Sequence, residues 1–471
     1  MAKCCRRVSL VLAVWFILAA ACAQAAPAVV QKVRFSQKPE RVRLVFDISA
    51  AVEPNVILEQ EPLRLLVELP ATLANGVPPQ VTFNDPFVAS LQLQEVEPGR
   101  LRAVVNLNMG VNYRVLKLAS PTRLVVDLFK SYDQKSERQI APGLKYISWV
   151  RSQAAGPVSA HILQVDPKAG FDIKPLLSNG AVQGLETLSA MSAGARAVAA
   201  VNGPYFAPNG EIIGLLKIDG EIISTPALPR TALGLFADGH IAFDQVAWQG
   251  RAELPGGRAA LSGINRERGE NELILYTGYY GPATGTNPFG TEVVVAADGR
   301  VTAVSQGNTP IKAGTVVLSG HGEAAKALAG LKIGDSVSII QTLGPTWDQA
   351  VSALGAGPML VKDGSVFLTT KVEEFGSDVA GGRAPRTALG LTKEDKLLVV
   401  VVDGRQATST GLTLLELALF MQELGAVDAM NLDGGGSSEL VVNDKVMNKP
   451  SDGRERKVGA ALVITPAKLA N

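Results

Sequence analysis

The sequence predicts an α+β protein in two folded parts: a small β-sandwich over residues 27–130 and a larger mixed α/β domain over residues 144–467, internally duplicated. Three observations predict it. The first part alternates apolar and polar residues with a period of two. The second contains a six-residue apolar run, a capped amphipathic helix and a further apolar run in succession. Finally, Arg230-Thr-Ala-Leu-Gly-Leu235 recurs letter for letter as Arg386-Thr-Ala-Leu-Gly-Leu391, each copy preceded by proline.

The chain opens with Lys3, Arg6 and Arg7, followed by an apolar stretch from Val8 to Ala21 and the small residues Ala23 and Ala25. A basic start, a short apolar centre and small residues at its end read as a secretory leader over residues 1–25, too short to span a bilayer comfortably. The expected mature protein is secreted or held in the cell envelope, with no membrane span after cleavage. Cys4, Cys5 and Cys22 are the only cysteines of the 471 residues, and all three lie in that leader. Disulfides, a thiolate metal site and cysteine catalysis are therefore excluded for the mature chain. Lys and Arg total 45 against 44 Asp and Glu. Removing the leader's basic residues makes the balance slightly negative, which argues against nucleic acid as a partner.

In the first part Val42, Leu44, Phe46 and Ile48 alternate with Arg43, Val45 and Asp47, as Leu63, Leu65, Val67 and Leu69 do with Arg64, Leu66 and Glu68. Leu101 to Leu107 and Leu124 to Leu128 keep the rhythm, with Pro, Gly and Asn turns between. Such a pattern predicts an antiparallel sandwich without helices. The block resembles the AMIN domain, a targeting module of bacterial envelope proteins, in Val33-Arg34-Phe35, Val42 to Asp47 and Arg123 to Leu128. That resemblance implies peptidoglycan or another envelope component as its partner. Residues 131–143 are polar, end in Pro142-Gly143 and read as a linker.

In the second part, Gly184 to Arg196 reads as a short helix feeding an apolar run that ends at Asn202-Gly203-Pro204. Leu397 to Val402 is six apolar residues long, which predicts a strand buried on both faces. Thr413 and Glu416 form a capping box, with Leu412 and Leu417 at the staple positions and Gly425 as the stop. Val427 to Leu432 then reads as a strand, so the three elements suggest a crossover unit with Asp403 and Asp433 at equivalent strand ends.

Chemistry concentrates in four clusters: Asn202-Gly203 with Glu211; Arg383, Arg386 and Thr387; Asp403-Gly404-Arg405; and Asp433-Gly434-Gly435-Gly436-Ser437-Ser438 with Arg454 downstream. Consecutive glycines after a strand let backbone amides turn towards an anion. Arginine forks suit phosphate oxygens, and carboxylates at strand ends suit a cation-like sugar transition state. Asp238, Asp298 and Asp363 read as ordinary hairpin turns. The three histidines are scattered in sequence, so a histidine triad or zinc site is not supported.

Together these motifs resemble the phosphodiester glycosidase family, over about Lys145 to Ile464. Asn431 to Ser438 is the most specific stretch, supported by Val201-Asn-Gly, Gly210-Glu211, Arg386-Thr-Ala-Leu-Gly, Asp403-Gly and Pro450-Ser-Asp452. Pro204 stands where the family commonly has a second glycine. The resemblance implies hydrolysis of a glycosidic bond in a sugar-1-phosphodiester of the N-acetylglucosamine type. On that reading Asp433 attacks the anomeric carbon or activates water, and Glu211 or Asp403 is the second carboxylate. Asn202 holds a sugar hydroxyl, Arg386 holds the phosphate with Arg383 and Arg405 behind it, and Gly434 to Gly436 with Ser437 complete an anion pocket. No cofactor or metal is called for. The rival reading is a non-catalytic envelope protein that binds glycan through both parts.

Overall fold

The computed structural model describes residues 27–38, 40–130, 133–153 and 155–467; the expected leader lies outside them. The chain is β-rich, with 52% of it in strands, 8% helical and four helices among the described residues. The expected α+β class with a mixed α/β second part is thereby corrected.

Residues 27–130 pack two five-stranded sheets face to face. The apolar positions of the alternating segments, including Leu44, Phe46, Leu65, Val67, Val105 and Val126, all turn into one shared core and are fully buried. Most of the expected linker is ordered in a sheet. Asp133–Ala141 is a strand, paired antiparallel with Leu144–Gln153 at the edge of an eight-stranded sheet. Its first seven residues are exposed, so an edge strand that faces water carries the composition of a linker.

The six-residue run Leu397–Val402 is a strand, buried throughout as expected. What buries it differs from the expectation. Leu397, Val399 and Val401 face a core built by three sheets, while Leu398, Val400 and Val402 face the single Leu414–Glu423 helix. Both of its sheet neighbours, Gly156–Val165 and Arg386–Thr392, run antiparallel to it. The crossover nevertheless exists, because Leu397–Val402 and Ala426–Asn431 flank Arg386–Thr392, each antiparallel to it and therefore parallel to one another. Thr413 and Glu416 close the capping box at the start of the connecting helix. Thr413→Ala should lower stability by about 1 kcal/mol, the usual worth of such a cap, read as a shifted denaturant midpoint with unchanged slope.

The duplicated hexapeptides lie in equivalent sheets. One sheet runs Glu221–Ser224, Leu216–Ile218, Ala350–Gly355, Arg230–Phe236, Ile241–Val246; the other contains Ser365–Val366, Met359–Lys362, Ala426–Asn431, Arg386–Thr392, Leu397–Val402 in the same order. Their registers also coincide. Ala232 pairs with Gly355 and Leu233 with Leu354, as Ala388 pairs with Asn431 and Leu389 with Met430. Gly355 therefore corresponds to Asn431, and Gly357 to Asp433. Within the first half-unit, between Ile241–Val246 and Ala350–Gly355, residues 249–342 contribute a separate β lobe with its own core around Ile264, Leu275, Val293 and Leu318.

Candidate functional site

At one end of the second sheet three strand termini meet. Asp403 follows Leu397–Val402, Arg386 opens its strand, and Asp433 follows Ala426–Asn431. Pro385 sits between them: a Cβ on Gly404 would lie 2.5 Å from its nitrogen, and one on Gly434 3.0 Å from its oxygen. Asn202, ending the Ala199–Asn202 strand of another sheet, bolts this edge in place. Its Nδ2 donates to the Asp433 carbonyl at 2.7 Å, and its Oδ1 accepts from Thr387 Oγ1 at 2.8 Å and from the Glu439 amide at 3.1 Å. Asn202 and Thr387 are thus engaged by protein rather than presented to a ligand.

The glycine loop differs from the expected ring of inward amides. The Gly434 amide donates to Asp433 Oδ1 and the Gly435 amide to the Pro385 carbonyl, and Gly435–Ser437 forms a 3₁₀ turn. The glycines are needed for other reasons. Gly435 has φ of 62°, and a Cβ there would meet the Arg405 guanidinium at 3.3 Å. At Gly436 a Cβ would lie 2.1 Å from Arg456 Nη2. Arg405 and Arg456 therefore lie against the loop, Arg456 held to Asp452 at 2.7 Å. Around it the buried hydroxyls of Ser437, Ser438 and Ser451 close no hydrogen bond. Unpartnered buried hydroxyls are costly, and a ligand's polar atoms would satisfy them.

Burial pushes the Asp433 carboxyl up to about 6, with the Ser437 hydroxyl, the Gly434 amide and Arg456 opposing the rise. Since Ser437 lacks a bond of full hydrogen-bonding geometry, we take burial as the governing cause. Nearby, the Tyr205 hydroxyl donates to the Gly357 carbonyl at 3.0 Å and accepts from Asn431 Nδ2 at 2.9 Å. Its phenol is raised by burial first and then by the Asp433 charge, and lowered by Arg386 and Arg230. Arg230 also lies over the Phe375 ring at 4.2 Å, and that ring packs on Tyr205.

The arginines divide by what they touch. Arg386 is only 3% exposed, and its donors reach the carbonyls of Leu412, Val379 and Gly382. Arg383 binds the Gly411 carbonyl and Glu416, the capping residue, so it braces the helix start. Arg230 and Arg405 retain more open faces, and Arg454 is exposed. Glu211 is half-buried on a turn, 3.4 Å from the Tyr280 hydroxyl. Asp403 is buried and accepts from Asn448 and the Lys449 amide. The sequence reasoning overlooked Tyr205, Phe375, Arg456 and Glu439. The Glu439 carboxyl is buried, pushed up to about 8 by burial and by Glu455, and its Oε1 has no partner. Only its place directly after Ser438 could have flagged it. A surface cleft elsewhere in the molecule is lined by Phe171, Asp219 and His240.

Comparison with known proteins follows this geometry. Residues 291–465 match the phosphodiester glycosidase family. The matched stretch begins inside the inserted lobe and contains the second half-unit with Arg386, Asp403 and Asp433, leaving Asn202, Glu211 and Arg230 outside. The chain is 43% identical over 82 residues to the SPbeta prophage-derived uncharacterized protein YomE of Bacillus subtilis, covering 17% of this chain and 13% of that one. It is 32% identical over 111 residues to the mouse N-acetylglucosamine-1-phosphodiester alpha-N-acetylglucosaminidase, covering 22% of this chain and 21% of the enzyme. The chain thus spans about a fifth or less of the curated relatives it matches. Among solved structures, a hypothetical protein from Synechocystis superposes with a TM-score of 0.65 at 22% identity, over 93% of this chain and 80% of that one. A Burkholderia pseudomallei protein whose name marks it as a candidate for export gives 0.60 at 21%, over 92% and 100%. At these identities the two structures establish a shared fold. Among the described residues no helix is long and apolar enough to cross a membrane.

Proposed function

We propose that the protein is an exported glycoside hydrolase that cleaves the bond between an anomeric carbon and phosphate oxygen in a sugar-1-phosphodiester of the N-acetylglucosamine-1-phosphodiester type. The observation that carries this reading is Asp433 at a strand end beside the glycine loop, with Arg405 and Arg456 lying against that loop, inside the stretch that matches the phosphodiester glycosidase family. Water adds to the anomeric carbon and the sugar leaves as a free hemiacetal. The released phosphomonoester, whose second pKa is about 6, departs with little need of protonation. Arginine charge therefore stands in for much of a general acid's work. Asp433, ionised above its raised pKa, attacks the anomeric carbon or activates the water. Arg405, Arg456 and the unpartnered serine hydroxyls beside the glycine loop form the phosphate-binding wall, with Arg230 as the more open arginine of the duplicated pair.

The AMIN-like sandwich is proposed to hold the enzyme at peptidoglycan or another envelope polymer, with the mature chain starting near Ala26. Purified mature protein should release free N-acetylglucosamine from an N-acetylglucosamine-1-phosphodiester, read by coupled detection of the sugar across a panel of sugar-1-phosphodiesters. No release from any member of the panel, beside retained binding to isolated cell walls, would replace the hydrolase with a glycan-binding envelope protein.

A further inference from the structure

Three buried side chains form a polar chain that the hydrolysis outlined above leaves unused. Tyr146 and His161 lie on neighbouring antiparallel strands, Leu144–Gln153 and Gly156–Val165, and Asp403 ends the next strand of that sheet. Tyr146 Oη is 2.7 Å from His161 Nδ1, and His161 Nε2 is 3.4 Å from Asp403 Oδ2. The three residues are 8%, 8% and 5% exposed.

The ends of the chain set its direction. An ionised carboxylate only accepts hydrogen bonds. The Tyr146 phenol is pushed up by burial, against the Ser148 hydroxyl and Arg138, so it keeps its proton and donates. Nδ1 of His161 is then the lone-pair nitrogen of the imidazole, and the Nε2 proton faces Asp403. The other Asp403 oxygen accepts from Asn448 Nδ2 at 3.2 Å and from the Lys449 amide at 2.9 Å, and its carbonyl accepts from Ser409 Oγ at 2.6 Å. Ser159 Oγ also lies 3.5 Å from Nε2 and can accept from the same proton, so one tautomer fits all these partners.

We propose that His161 is a positioning residue, holding the Asp403 carboxylate and the Asp403-Gly404-Arg405 turn in register with the glycine loop, while Tyr146 fixes its tautomer. This rests on the reading of the strand-end cluster as the catalytic site. The turn is what brings Arg405 against Gly435, so a carboxylate that swings loses the arginine's place as well as its own. Scattered in sequence, these residues give no local motif. They converge only because two strand pairings set positions 146, 161 and 403 diagonally across adjacent strands, each two residues from direct register.

The chain contains three histidines, so imidazole nitrogen resonances can be assigned by substitution. Nitrogen NMR of the mature wild-type protein should show His161 as the Nε2–H tautomer, and Tyr146→Phe should mix in the other form. In turnover of an N-acetylglucosamine-1-phosphodiester, His161→Phe should lower kcat about tenfold or more with a smaller change in KM, as expected when preorganisation is lost. His161→Gln, whose amide can replace the Nε2 donor, should recover part of the loss. An Nδ1–H tautomer in the wild type overturns the proposal, as does a folded His161→Phe protein with wild-type kcat. If the wild-type protein turns over no substrate, the catalytic reading fails by itself. The tautomer of His161 in the wild type and in Tyr146→Phe then still decides whether the chain exists.

Discussion

Replacing Asp433 by asparagine is expected to lower turnover of a sugar-1-phosphodiester by at least about a hundredfold, the scale lost with one electrostatic contact made in a transition state. Asparagine keeps the shape and the bond from the Gly434 amide while removing the charge that meets a cation-like sugar. Stability should move the other way. A carboxyl raised to about 6 in the fold, from an ordinary 3.8, contributes stability that is full below the unfolded value and lost as pH rises through about 6. At pH 7 the fold therefore holds this charge at a cost that asparagine relieves, and the variant should melt no lower than wild type. The same shift sets the wild-type acid limb. Turnover should fall tenfold per pH unit below about 6, where Asp433 is protonated. Near-normal turnover by folded Asp433→Asn protein, or a limb near pH 4, would remove Asp433 from the reaction.

The sites of these effects were visible in the sequence to different degrees. Strand ends could be read because Leu397 to Val402 and Val427 to Leu432 each stop abruptly at an Asp-Gly pair, and both acids do stand at one edge of one sheet. The capped helix was readable because its signals are local, and Thr413 and Glu416 bond as their spacing demands. Burial of Leu397–Val402 was readable too, but two-sided burial does not say whether helices or a second sheet do the covering. That ambiguity produced the mixed α/β expectation. Polar composition likewise cannot separate a linker from an exposed edge strand, which is how Asp133–Ala141 was misread. Tyr205, Arg456 and Glu439 stand close in sequence to the singled-out motifs and carried no signal beyond that nearness, while Phe375 comes from a segment that no motif marks. Arg383 and Arg386 carried the right chemistry for phosphate, yet most of their donors go to carbonyls and a cap. The sequence shows residue type, and only the fold shows which partner a donor already has.

The duplication makes the strongest stability prediction. Superposing the two half-units by register puts Gly357 where the second half-unit has Asp433. The first half-unit fills that space with a carboxylate from elsewhere: a Cβ on Gly357 would lie 2.2 Å from Glu373 Oε2. Glu373 is fully buried and accepts from the Thr231 amide at 2.9 Å, Thr231 Oγ1 at 2.5 Å, the Met359 amide at 3.3 Å and Thr369 Oγ1. Thr231 is the counterpart of Thr387, so one half-unit uses this threonine to hold Asn202 and the other uses it to hold a fixed acid. Removing Glu373 would strand the Thr231 amide and the hydroxyls of Thr231 and Thr369 away from water, each worth about 1–3 kcal/mol when left unmade, while the Met359 amide keeps Thr369 Oγ1 at 2.8 Å. Partial rewetting limits the sum, and Glu373→Ala should cost about 3–5 kcal/mol, in the range of a broken buried network. Glu373→Gln can still accept two of the four bonds and should lose about half as much. Phe375, two residues on, packs on Tyr205, so turnover per folded molecule should fall in the alanine variant as well. Denaturant unfolding of both variants decides the matter: an alanine variant within about 1 kcal/mol of wild type, the spread of ordinary surface changes, would mean that the first half-unit does not depend on this carboxylate.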